Sequence, residues 1–437
     1  MTTTSPDDLL DQWPLSRVQW QVIILCALVV LLDGLDTQVV GYLGPALSAE
    51  WKIPREQLGP VFSASLVGLM VGLLCVGVLA DYYGQRFSIV FCVLLFAVFT
   101  LLTAYAQGVT DLMLWRFLAG IGLGGAMPNA LALTGEYCPR RARATLTILM
   151  FCGFSLGSII GGVLAATLLD SAGWRVVFLI GAVLPLLLLP FLLWLLPESL
   201  QFLLERKQDE RRVHTQLKRI NPQHDLATPL RRRDSEKNLP VTALFQEQRA
   251  QGTLLLWLVF FCNLMVFFFL QNWLPTLFTD AGLAQQNAVL MSTLISWGGI
   301  VAGLLSGPLM DRYNPCLVLA GLYLGGTVFV AAMGQVPAAL LAAATFCAGF
   351  CVSGAQKSIN ALAVVFYPVR MRSTGVGWAL GIGRFGSILG PIAAGYLLSG
   401  GWSYGRLMQL AAVPMLVAAL AIYLVGRRYF GASRQVA

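Results

Sequence analysis

Twelve apolar stretches, each long enough to cross a bilayer, recur along the chain with a few polar residues between them and one long polar interruption in the middle. The hydrocarbon core of a membrane is about 30 Å thick and takes roughly 20 residues of helix to span. Within it every backbone N–H and C=O has to be satisfied by the chain itself, so only helices and closed barrels qualify. The stretches are continuously apolar rather than alternating at every second residue, which selects helices over barrel strands. Only 11% of the 437 residues are charged and 57% are hydrophobic, against about 25% charged in a soluble domain. An all-α membrane protein with twelve transmembrane helices is therefore expected. The first run, near Trp20 to Val40, is too long for the apolar part of a secretory signal, and no small-residue cleavage pattern follows it.

The net charge is +8, and its placement argues for membrane topology rather than a nucleic-acid partner. About 22 of the 29 Lys and Arg fall in the terminal segments and alternate loops: Arg86, Arg140 to Arg143, the polar middle with Arg231, Arg232 and Arg233, then Arg312, Arg370 and Arg372. The opposite loops carry only Lys52, Arg55, Arg175 and Arg406. Basic residues concentrate on the cytoplasmic side, so both termini are expected in the cytoplasm, in a bacterial-type inner membrane. The expected organisation is a cytoplasmic segment 1–17, a six-helix bundle 18–196, a cytoplasmic linker 197–250, a second six-helix bundle 251–426 and a cytoplasmic tail 427–437. The linker reads as a solvated connector with some helix. Most of the nine Cys lie inside apolar runs, where they read as small packing residues, and the only His, His214 and His224, lie in the linker. No metal site is expected. The two halves echo one another, since Gly77 and Asp81 after the second run match Gly307 and Asp311 after the eighth, a weak internal repeat of the kind duplicated transporters retain.

These motifs give a family resemblance. Gly77-Val-Leu-Ala-Asp81-Tyr-Tyr-Gly84-Gln-Arg86, Arg116 through Gly125, Gly153 through Gly162 and Pro197-Glu198-Ser199 together resemble the major facilitator superfamily over nearly the whole chain, although Tyr82 and Gln85 stand where that loop motif usually has basic residues. Asp33-Gly34-Leu35-Asp36, Met127-Pro128-Asn129 and Gly375 through Gly386 resemble its aromatic acid:proton symporter branch. The resemblance implies two six-helix bundles around a central cavity and inward carriage of compounds such as hydroxybenzoates or protocatechuate with protons. It also implies a gating role for Gly77, Asp81, Gly84, Arg86, Asp311 and Arg312. The expected partners are a small aromatic carboxylate, protons and the lipid bilayer. The expected state is a monomer, with no cofactor beyond the proton as coupling ion.

A charge in the bilayer core costs at least about 2.5–3.5 kcal/mol on insertion scales, so ionisable residues within the runs are candidate functional groups. Asp33 and Asp36 are three apart and share a helix face. Two carboxylates so close do not both stay charged in a low-dielectric site unless a cation intervenes, which suits one of them to carry a proton. Arg116 on the fourth run lies at a depth similar to Asp36, and a pair between them is expected. Glu136, at the end of the fourth run beside Arg140 and Arg141, reads equally as an interfacial latch or a proton carrier.

In the second half, Gln356, Lys357 and Asn360 present one polar face of the tenth run. A Lys there can attract a substrate carboxylate and the amides can hydrogen-bond it or a ring hydroxyl. Lys357 is not part of the branch pattern, and its alternative reading is a Lys that reaches to the interface. Arg384 lies deep in the eleventh run, where reaching water is hardest, and is the second candidate carboxylate partner. Trp273 beside Asn272, Trp378 and Tyr42 are candidate platforms for an aromatic ring.

Gly120, Gly122 and Gly125 satisfy a dinucleotide-binding spacing but sit inside an apolar run, where small residues instead let helices approach. No Walker-type phosphate loop and no catalytic constellation occurs, so neither ATP-driven transport nor an enzyme is expected. Two rivals remain open at this level: an efflux antiporter of the same superfamily, and a membrane sensor that binds a ligand without moving it.

Overall fold

The computed structural model describes residues 6–205, 210–223, 230, 241–246, 249–368 and 371–429. The side chains of Arg140, Arg141, Arg143, Asp311 and Arg372, and the whole of His224, Arg231, Arg232, Arg233 and Arg370, lie outside the described residues. The described chain is helical, in the order α1 (Pro6–Gln12), α2 (Arg17–Trp51), α3 (Arg55–Tyr83), α4 (Gln85–Ala104), α5 (Val109–Tyr137), α6 (Arg140–Ala172) and α7 (Trp174–Leu195). The short helices α8 (Leu200–Glu205) and α9 (Glu210–Ile220) and a 3-10 turn (Val241–Phe245) follow. The second half adds α10 (Ala250–Asp280), α11 (Gln285–Arg312), α12 (Pro315–Met333), α13 (Ala338–Phe366), α14 (Arg372–Ser399) and α15 (Tyr404–Tyr429). Among the described residues twelve helices, α2 to α7 and α10 to α15, are long and apolar enough to cross a membrane. The protein is a multi-pass membrane protein.

Several helices outrun the apolar stretches that mark them. The apolar character of α2 fades near residue 42, yet the helix continues through Pro45 to Trp51, because that last part packs on other helices. Local chemistry sets other ends. Asn314 caps α12 by accepting from the Cys316 N–H at 3.0 Å, with Pro315 in the first turn, where a missing N–H leaves nothing unsatisfied.

The chain packs as two compact units. Unit 1 comprises residues 1–37, 67–157 and 178–235. Its core joins α2, α4, α5 and α7 through Val29, Phe96, Leu123 and Leu192, and extends to Leu200, Leu203 and Leu204. The amphipathic α9 adds Val213, Leu217 and Ile220 to this core, and α1 adds Leu10. The start of the linker is thus a docked helix with its charged face in solvent, not only a solvated connector.

Unit 2 comprises residues 38–66, 158–177 and 236–437. The ends of α2, α3, α6 and α7 that carry Glu50, Arg55 and Arg175 pack here against helices of the second half. Gly41 lets α2 touch α10, since a Cβ there would lie 2.8 Å from the Asn272 Cα. The Ser63 hydroxyl on α3 donates to the Ile388 carbonyl on α14 at 2.9 Å. Glu50 accepts from the Trp174 indole at 2.5 Å and from Arg175 at 2.8 Å. Helix α10 is buried without a break from Val266 to Phe278, as an all-round apolar helix at the centre of its neighbours should be.

Candidate functional site

In unit 1 four helices converge on one buried charge pair. Asp36 on α2 is 1% exposed and Arg116 on α5 is 0% exposed. Arg116 Nη1 donates to Asp36 Oδ1 at 3.1 Å, and Nη2 donates to the Asp36 backbone carbonyl at 3.0 Å. The Thr100 hydroxyl on α4 gives Oδ1 a second hydrogen bond at 2.7 Å, and the guanidinium lies 5.7 Å over the Phe178 ring on α7. Oδ2 is 2.9 Å from Nη1 but accepts no hydrogen bond, and Arg116 Nε donates none. The pair therefore holds one carboxylate oxygen by charge contact without a hydrogen bond and retains one unused donor away from water, where such a group costs about 1–3 kcal/mol. Asp33, one turn earlier and 2% exposed, accepts from the Thr37 hydroxyl at 3.0 Å.

At one end of unit 1 a second polar cluster ties three motifs together. Glu136 accepts from Gln85 Nε2 at 3.1 Å and from the Ser199 hydroxyl at 2.6 Å. Glu198 Oε1 accepts from the backbone N–H of Arg86 and of Ser199, both at 3.0 Å, and the Arg86 guanidinium donates to the Leu193 carbonyl. Gly84, at φ +99° and ψ 163°, makes the turn between α3 and α4, a conformation essentially confined to glycine. A Cβ there would stand 2.5 Å from the Glu198 carboxylate. Gly84→Ala is therefore expected to lower stability by about 1–3 kcal/mol, measured as a lower unfolding midpoint in detergent. Gly77 and Asp81 at the end of α3 are exposed, as is Arg312 at the end of α11.

Unit 2 holds most of the remaining candidates. A chain of hydrogen bonds runs from Tyr42 to Ser158 at 2.8 Å, on to Ser296 at 3.0 Å, and back from Gln271 Nε2 to Ser296 at 3.2 Å. It joins α2, α6, α11 and α10 through fully buried groups. Gln38, one turn before Tyr42 and 0% exposed, has neither amide atom hydrogen-bonded, and the amide oxygens of Gln356 and Asn360 are likewise buried without a donor. The two cations point to different helices. Lys357 Nζ donates to the Gly299 carbonyl on α11 at 2.5 Å, whereas the Arg384 guanidinium lies 5.9 Å over the Phe268 ring on α10.

The aromatic candidates divide in the same way. Trp273 is 0% exposed, donates its indole N–H to the Pro391 carbonyl at 3.0 Å and stands edge to face with Phe62 at 5.3 Å, so no face of it is open. Asn272 bonds back to the Phe268 carbonyl at 2.8 Å. Trp378 is 45% exposed and stacks on Trp257 at 5.9 Å. Sequence reasoning passed over Gln38, Thr100, Ser158 and Ser296. Gln38 carried a readable signal, a polar side chain one helical turn from Tyr42 in an apolar run.

The sequence matches the family described as Major Facilitator Superfamily over residues 26–336 and 289–437. It is 42% identical over 424 residues to the 4-hydroxybenzoate transporter PcaK of Pseudomonas putida, covering 95% of this chain and 94% of that protein. It is 40% identical over 419 residues to a gallate transporter of the same organism, covering 95% and 93%. Among solved structures, the inward open conformation of the xylose transporter XylE from E. coli shares the fold, with a TM-score of 0.71 at 17% identity over 93% of this chain and 95% of that one.

Proposed function

Because the chain belongs to the Major Facilitator Superfamily, we propose that it imports an aromatic carboxylate of the hydroxybenzoate and protocatechuate class by proton symport with alternating access. The relatives named as 4-hydroxybenzoate and gallate transporters support the substrate class, and the charge distribution supports an inner-membrane orientation with both termini cytoplasmic. In this orientation the ends carrying Glu50, Arg55 and Asp280 face outside, and the cluster of Gly84, Glu136 and Glu198 faces the cytoplasm.

The observation that carries the reading is the desolvated Asp36 to Arg116 pair. A buried pair is costly unless its remaining polar atoms are hydrogen-bonded, and here Oδ2 has only its charge contact with Arg116 and accepts no hydrogen bond. A proton placed on that oxygen removes the charge Arg116 holds and frees Arg116 to rearrange. Helix α2 carries this event directly into unit 2, since Gln38 and Tyr42 follow Asp36 within six residues, or about 9 Å of helix. In unit 2 the substrate anion is drawn by Arg384, and its ring hydroxyls bond the vacant amide oxygens of Gln356 and Asn360. Lys357 sets the local positive potential from its seat on Gly299. One proton entering with a monoanion makes the step electroneutral.

The experiment is ligand-dependent stabilisation of the purified protein followed by uptake in proteoliposomes, across a panel of aromatic acids and unrelated anions. Hydroxylated benzoates are expected to raise the unfolding midpoint, because a ligand that binds only the folded state shifts the equilibrium toward it, and to be taken up. Stabilisation by none of them would remove the substrate assignment. Gln356→Leu is expected to raise KM about tenfold for hydroxylated acids and less for benzoate, the loss of one buried hydrogen bond being about 1–1.5 kcal/mol.

A further inference from the structure

At the outer end of unit 2 the start of α3, the ends of α10 and α14 and the start of α15 enclose a cavity of about 250 Å³ lined by Arg55, Leu277, Asp280, Leu398, Trp402 and Tyr404. Arg55 grips Asp280 through both terminal nitrogens, Nη2 donating to Oδ1 at 2.7 Å and Nη1 to Oδ2. The two side chains are still 40% and 35% exposed, so a solute in water can reach the pair, and an ion pair so placed contributes no more than about 1 kcal/mol. The Tyr404 hydroxyl is buried with no hydrogen-bond partner. Trp402 is 39% exposed.

We propose that this cavity is an entry site, in which the carboxylate of an incoming aromatic acid takes the place of Asp280 on Arg55 and the ring settles against Trp402, Leu277 and Leu398. The inference rests on the import reading above. A guanidinium fork accepts any carboxylate in the same planar, two-point geometry, so the exchange replaces one paired contact with an equivalent one. What tips the balance is the rest of the cavity. The ring gains apolar and aromatic contact, and the Tyr404 hydroxyl gains a partner in a ring hydroxyl or the carboxylate. Releasing Asp280 also unties α3 from α10, so occupancy of the site loosens the contact between these two helices at the outer end through which the same molecule has to pass.

The test is initial-rate uptake of 4-hydroxybenzoate by proteoliposomes carrying wild type, Arg55→Gln, Arg55→Lys, Asp280→Asn or Trp402→Leu, with each unfolding midpoint measured alongside. A pair that serves only as a latch is broken from either side, and both charge variants then shift KM the same way. An entry site gives opposite signs. Arg55→Gln is expected to raise KM about tenfold, with Vmax within about twofold, through loss of a charge-assisted contact. Asp280→Asn removes the competing carboxylate and is expected to lower KM about threefold. Arg55→Lys, which keeps the charge and loses the fork, is expected to fall between wild type and Arg55→Gln and substitutes for it if that variant does not fold. Trp402→Leu is expected to raise KM. Parallel shifts in the two charge variants, or no shift, overturn the entry site while leaving import standing if the wild type transports. A wild type that takes up none of the aromatic acids overturns both.

Discussion

Arg116→Ala is expected to destabilise the protein by about 3–5 kcal/mol, because it leaves the Asp36 carboxylate uncompensated among buried groups. Breaking one side of a buried pair is far more damaging than replacing both. The double variant Asp36→Asn with Arg116→Gln keeps the shape and removes the charges, so its unfolding midpoint is expected near that of the wild type. The Thr100 hydroxyl still has an oxygen to donate to in the Asn side chain. The double variant is expected to retain ligand binding but to lose proton-driven accumulation. Thermal unfolding in detergent and uptake under an imposed pH gradient check the two halves separately. A double variant that accumulates substrate as the wild type does would make the pair a packing device.

The second large effect is steric. Helices α2 and α6 touch through reciprocal glycines, and a Cβ on Gly157 would lie 1.8 Å from the Leu31 carbonyl oxygen, one on Gly34 2.0 Å from the Phe154 carbonyl oxygen. Both obstacles are backbone and cannot rotate away. Gly157→Ala is expected to push the helices apart at the level of Asp33 and Asp36, with a loss of about 3 kcal/mol, the upper end of what overpacking usually costs, and of uptake. Gly321→Ala on α12, where a Cβ would meet nothing within 4 Å, is the control. It is expected to be neutral or slightly stabilising, since alanine favours helix over glycine by about 1 kcal/mol. Equal stability of the two variants would mean that α2 and α6 do not need their close contact.

The fold was readable because hydrocarbon imposes one rule on every span, and that rule leaves a mark on composition and run length. The pairing of Asp36 with Arg116 was readable too, from equal depth alone, because few charges compete for a partner inside a membrane. Rotation about each helix axis was not. Helices apolar on all sides carry little periodic signal to say which face meets which neighbour, so the closed-in seat of Trp273, the exposure of Trp378 and the different neighbours of Lys357 and Arg384 could not be foreseen. Thr100, Ser158 and Ser296 escaped notice for a related reason. Hydroxyl side chains are common in membrane helices because they bond to their own backbone at little expense, so a functional one looks like the rest. The docked face of α9 was legible in principle, in Val213, Leu217 and Ile220 at helical spacing, but the surrounding Arg and Lys directed attention to its charge.

Movement of protons with substrate tests the central claim most directly. Proteoliposomes loaded with a pH-sensitive dye, alkaline inside, are given labelled 4-hydroxybenzoate outside. Wild type is expected to concentrate the label above its outside level while the interior acidifies in step, and the double variant Asp36→Asn with Arg116→Gln is expected to lose both while still exchanging labelled for unlabelled substrate. Gradient-driven accumulation at the wild-type rate in the double variant, or wild-type accumulation with no proton entry, would contradict it.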